Sequence, residues 1–167
     1  ARRVLGYYAH VSGNAAFYAL MRREYIARVP LHITFGGDWL MMADIAFLGK
    51  IAALDQVVIN RSIKGASQDL QKLARAAGLS SLLARSPHLH IAANAFTHIG
   101  WQSPHYRTLS RPARLLLGAR AGLTVCTHSV VPRWYGQACA YVGRSHPRFK
   151  SVAKTVKNRL TTALRHG

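Results

Sequence analysis

With 167 residues, half of them hydrophobic, the chain is long enough to bury one core and too apolar for overall disorder. Cys126 and Cys139 are too few for a disulfide framework and are expected as free thiols in a reducing compartment, and no run of roughly eighteen apolar residues without charge is present to form a transmembrane helix. Against 23 Lys and Arg stand five Asp and Glu, a net charge of +18 that asks for an anionic partner, while no helix-turn-helix, zinc-finger spacing or stacking motif points to nucleic acid beyond the charge itself.

From the N-terminal side, Ser12-Gly13-Asn14 leads into an apolar run that predicts a short strand near residues 14 to 20, followed by the pair Arg22-Arg23. Gly36-Gly37-Asp38 then opens a helix-length apolar stretch in which Leu40, Met41, Asp44, Ile45 and Leu48 follow at spacings of three and four, with Gly49 as the stop. At its head Asp38 suits an N-cap, because a carboxylate accepts from the free N–H groups of the first turn and meets the positive end of the dipole. A second short strand is expected over residues 51 to 59, rich in Val and Ile, ending in the basic loop Arg61-Ser62-Ile63-Lys64-Gly65.

Residues 69 to 85 predict a helix carrying Leu70, Leu73, Ala74 and Ala77 on one side, broken at Gly78 and resumed briefly from Leu79 to Ala84. His88, His90 and His98 come next, and their spacing matches no closed metal-ligand set, so they read as ordinary core or surface histidines. The stretch from Trp101 to Pro112 reads as a loop into a helix, with Ser110 as N-cap and Pro112 in an early helical position. That helix is expected to be short, about Ala113 to Ala121, because Gly118 and Gly122 weaken it. Residues 132 to 141 set Trp134, Tyr135 and Tyr141 beside Arg133, as occurs at membrane interfaces. Beyond Pro147, Phe149, Val152, Val156, Leu160 and Leu164 mark the apolar face of a basic amphipathic helix, able either to lie on an anionic leaflet or to pack on the domain.

Taken in order, the Gly13-Asn14 segment with Arg22-Arg23, the Gly36-Gly37-Asp38-Trp39 helix closing in Gly49-Lys50, and Val57-Val58-Ile59-Asn60-Arg61 resemble the second half of the catalytic domain of family 2 glycosyltransferases, over about residues 8 to 68. The resemblance implies an α/β, helix-dominated fold, the C-terminal part of a GT-A (Rossmann-like) domain over residues 1–68 with a helical basic extension over 69–167. It implies an inverting transfer of sugar from a nucleotide-sugar donor to the hydroxyl of a sugar or lipid-linked acceptor, in the cytoplasm or peripherally on the inner membrane face. Asp38 falls on the position of the family's catalytic base, a group needed because a sugar hydroxyl is a poor nucleophile until its proton is taken. Trp39 either offers an apolar face to the acceptor or packs in the core. Arg61 and Lys64 would meet the diphosphate as fixed charges.

Two positions depart from the family pattern. Gly37 stands where an acid often precedes the base, and Ile63 stands where a histidine approaches metal and diphosphate. No Asp-x-Asp occurs in the chain, so the divalent cation implied by the resemblance, Mg²⁺ or Mn²⁺, would take its ligands from elsewhere. With Ala1 at its start in place of Met, the chain is expected to be a fragment of a longer enzyme and inactive alone. The alternative is a basic membrane-surface or nucleic-acid-binding adaptor.

Overall fold

Twelve residues, Gly37–Leu48, form the helix around which the rest is arranged, and nine of them are buried. This helix, α3, is apolar on every side, which is the pattern of a helix enclosed by neighbours and not of one lying on a surface. The computed structural model describes residues 1–11, 15–52 and 69–131, and among these every regular element is helical.

On one side of α3 pack α1 (Arg2–His10) and α6 (Pro87–Thr97), with α7 (Arg111–Val125) packed against both of these helices. Val4 and Tyr8 of α1, Trp39, Leu40 and Ala43 of α3, Ile91, Ala92 and Ala95 of α6, and Leu117, Ala121 and Val125 of α7 share one core. Residues before and after position 68 therefore bury their apolar surface together. Arg3 also ties α1 to the far end of α3, its guanidinium donating to the carbonyls of Ala46 and Phe47 at 2.9 and 2.6 Å. Those carbonyls belong to the last turn, which has no intrahelical donor for them.

A smaller cluster lies on the other side of α3. Met41, Met42 and Ile45 meet Val29, just beyond α2 (Arg23–Ile26), with Ala16, Phe17 and Met21 packed against them. The strand expected near residues 14 to 20 is instead a 3₁₀ turn, Ala15–Tyr18. A strand needs a neighbour for its N–H and C=O groups; here the chain curls so that Ala16 and Phe17 reach the methionines of α3. Most of the second expected strand, residues 53 to 59, lies outside the described residues, as do the basic loop at 61–65, the aromatic stretch 132–141 and the basic helix beyond Pro147.

The helical segment expected over 69–85 breaks at Gly78 as expected, with φ +81° there, between α4 (Leu70–Ala76) and α5 (Ser81–Arg85). Asp69 caps α4, accepting from the N–H groups of Gln71 and Lys72 at 3.1 and 3.0 Å.

Helix α7 is longer than its glycines suggested. A Cβ on Gly118 would lie 2.8 Å from the carbonyl oxygen of Phe96, and one on Gly122 would lie 3.0 Å from that of Ala92. The two glycines let α7 approach the backbone of α6, so packing between helices outweighs the propensity loss of about 1 kcal/mol per glycine. Ser110 holds the N-cap position without a side-chain hydrogen bond, and Pro112 sits in the first turn. No described helix is long and apolar enough to cross a membrane.

Candidate functional site

The loop before α3 is built for close approach. Gly36, the N-cap of α3, takes the left-handed conformation at φ +80°. A Cβ on Gly37 would fall 1.9 Å from the carbonyl oxygen of His32, so any side chain at this position collides with the loop backbone. Asn94 of α6 pins the same loop, its amide donating to Thr34 Oγ1 at 3.3 Å and to the Phe35 carbonyl at 3.4 Å.

Asp38 is therefore not the N-cap. It lies inside the first turn, half-buried, where the aligned N–H groups still favour a negative charge. It opens on a cleft of about 680 Å³ whose walls include Leu31, His32, Phe35, Trp39, His88 and Ile91, together with Leu73 of α4 and Ala77 just beyond it. The volume and mostly apolar lining suit a small organic ligand. Trp39 is buried in the core against Tyr8, the packing role that was one of its two expected alternatives, and it also lines the cleft with its ring edge-on to His88, centroids 6.2 Å apart. Beside this end of α3, the Tyr7 hydroxyl is held far above its ordinary range by burial, with Tyr8 and Asp38 adding to the effect. Arg61 and Lys64 lie outside the described residues.

A second polar site sits further along the same helix. Asp44, six residues on, is about 9 Å along the axis from Asp38 and fully buried. His98 Nε2 donates to its carboxylate, 3.0 Å from each oxygen, and Ser103 Oγ donates at 3.3 Å to each. Ser103 in turn accepts from the His105 N–H at 3.3 Å. The carboxylate stands between serine and imidazole, so no base faces the hydroxyl and this is not a nucleophile arrangement.

Local winding brings those two donors together. Helix α6 runs into a π-helical turn, His98–Gln102, closed by Ser103 N–H donating to the His98 carbonyl at 2.9 Å. In a turn bonded five residues apart, residue 103 stacks over residue 98, where α winding would put residue 102. His98 and Ser103 thus reach the same carboxylate.

His32 joins the two sites. Its ring lies edge-on to that of His98, centroids 4.5 Å apart, and it also forms part of the cleft wall. Burial, then the nearby His98, lower its pKa against an opposing pull from Asp44. His32 Nε2, His98 Nδ1 and His105 Nε2 are all buried without a hydrogen-bond partner. Tyr106, buried beside this group, has its hydroxyl pushed well above the ordinary range by burial and then by the Asp44 charge.

The three histidines singled out in the sequence do not converge. His88 faces the cleft, His90 bonds Asn94 at 3.0 Å, and His98 alone meets an acid. The sequence reading passed over Asp44 and His32, yet Asp44 carried a signal: an acid in the middle of an enclosed apolar helix must find partners. No family model, curated protein or solved structure matches the chain.

Proposed function

We propose that the chain is the acceptor-side part of an inverting glycosyltransferase, in which Asp38 takes the proton of the acceptor hydroxyl. The observation that carries this reading is the position of Asp38 at the head of α3 on a ligand-sized cleft with Trp39 and His88. The aromatic and apolar wall offers surface for the C–H face of a sugar, and the carboxylate supplies the one anionic acceptor of protons in that lining.

In the reaction, the acceptor oxygen attacks the anomeric carbon as its proton passes to Asp38, and the bond from that carbon to the diphosphate oxygen breaks on the opposite face. A positioned base contributes about a hundredfold to ten-thousandfold. Mg²⁺ and Mn²⁺ prefer oxygen ligands, and the cleft offers a single carboxylate among apolar groups and imidazoles. The described residues do not build such an ion site, and no step here runs through one. Nucleotide-sugar binding belongs to residues beyond those described, Arg61 and Lys64 among them on the resemblance stated above. With 23 cationic side chains against five acids, the chain carries a net charge of +18, which supports placement against an anionic membrane surface where lipid-borne acceptors reside.

Turnover of the assembled transferase tests the reading. Asp38→Asn keeps the size of the side chain and removes its basicity, so kcat is expected to fall by about a hundredfold or more with little change in donor KM. Near-normal turnover would remove Asp38 from the mechanism. On the 167-residue chain alone, added saccharide acceptors are expected to shift the Trp39 indole and His88 resonances without any transfer from a nucleotide-sugar.

A further inference from the structure

Asp44, His98 and His32 each present a ligand atom, and the three atoms lie within 4.8 Å of one another. We propose that this cluster is a binding site for a transition-metal dication of the zinc type, adjoining the acceptor cleft through His32 and distinct from any ion that accompanies the donor diphosphate.

The donor set selects the ion. Two imidazoles and one carboxylate suit Zn²⁺ or its neighbours in the first transition row, and are poor in oxygen for Mg²⁺ or Ca²⁺. The spacing fits as well. Two ligand atoms bound to a tetrahedral ion at about 2.0–2.1 Å stand about 3.3 Å apart, and His98 Nε2 stands 3.0 Å from the Asp44 oxygens. The ion would take the place of the proton that His98 now shares with Asp44, and that proton leaves to solvent. Only a few tenths of an ångström of opening are needed between these two side chains, while the His32 ring closes in from the cleft wall.

The surroundings have the features of a supported site. Ser103 Oγ holds the Asp44 carboxylate from the far side and is itself fixed by the His105 N–H, which is the outer-shell bonding that orients a metal-ligating acid. His32 Nε2 is buried without a hydrogen-bond partner, and a metal ion would satisfy it. A fourth position can be filled by a water from the cleft. Because His32 belongs to both places, an ion reaches the buried pair by rotation of that one ring, without opening the core.

Cobalt tests the site directly, since tetrahedral Co²⁺ absorbs strongly in the visible and substitutes for Zn²⁺. The full chain is stripped with a chelator and titrated with Co²⁺ alone. One equivalent is expected to give an intense tetrahedral spectrum that Zn²⁺ abolishes. Ser103→Ala keeps all three ligands and is expected to weaken binding about tenfold, whereas His32→Gln, on the cleft wall and outside the core, removes a ligand and should weaken it by about a hundredfold or more with an unchanged far-ultraviolet circular dichroism spectrum. A weak octahedral spectrum, or a tetrahedral one that survives in His32→Gln, overturns the assignment. Saccharide binding and transfer by Asp38 are read in a different assay, so either proposal can fail while the other stands.

Discussion

Two aspartates on one helix have opposite surroundings. Asp38, in the first turn of α3, looks onto a cleft, where the N-terminal end of the helix dipole favours a negative charge. Asp44, less than two turns later, is enclosed on all sides and is held by an imidazole and a hydroxyl brought from residues 98 and 103. The comparison separates availability from stability. One carboxylate is left open to a cleft, and the other, which ties residues 98 and 103 to α3, is denied to solvent.

Substitutions that treat the two aspartates alike should therefore give unequal results. Asp44→Ala strips the partner from buried His98 and Ser103 and is expected to destabilise the fold by about 3–5 kcal/mol, read as a lower urea midpoint; a loss below about 1 kcal/mol would mean that the buried pair does not hold the helices together. Gly37→Ala drives a methyl into the His32 carbonyl and should cost about 3 kcal/mol, near the upper end for overpacking, with the cleft-side resonances of Trp39 and His88 displaced. If it is neutral, the loop and the head of α3 are not in the contact described.

Alkali probes the enclosed side of the comparison. Burial raises Tyr7, Tyr8 and Tyr106 far above the ordinary 10.0, with Asp44 adding to the shift at Tyr8 and Tyr106. The folded chain then keeps protons that the unfolded chain releases near pH 10, so stability is complete below that pH and falls as pH rises, by something on the order of 1 kcal/mol per pH unit for each of the two fully buried rings. An ultraviolet titration should show these three of the seven tyrosines ionising only as the helical signal is lost. The smallest effect is expected at the open end, where Asp38→Asn should change stability by less than about 1 kcal/mol. A larger loss would make Asp38 a structural residue and erase the contrast with Asp44.

Much of the helical layout was legible because its signals are local. Gly36-Gly37 and Gly49 bracket α3, Gly78 breaks the segment after Asp69, and Pro112 marks the start of α7. The errors came where a distant partner decides. Ala15–Tyr18 has strand-like composition but follows the methionines of α3, and Gly118 and Gly122 look like helix breakers until the carbonyls of α6 are placed beside them. Asp38 and Trp39 could be picked out from their own neighbourhood. The pairing of Asp44 with His98 spans 54 positions, and no periodicity carries information over that distance. What was readable was the demand alone: an acid inside α3 needed partners, and only the fold could name them.

The π-helical turn after α6 makes chain length itself part of this arrangement. Inserting one residue between Ile99 and Gly100 would put the serine six positions beyond His98, a spacing that neither four- nor five-residue bonding stacks, whereas deleting one would leave it four positions on, where ordinary winding restores the stacking. Substitution scanning would find Gly100 rather permissive, since a methyl there meets only the tip of Leu115 at 3.3 Å, while a single-codon insertion at the same place would separate the two donors of Asp44 from each other. In this segment the spacing between residues is under tighter constraint than the identity of those that provide it.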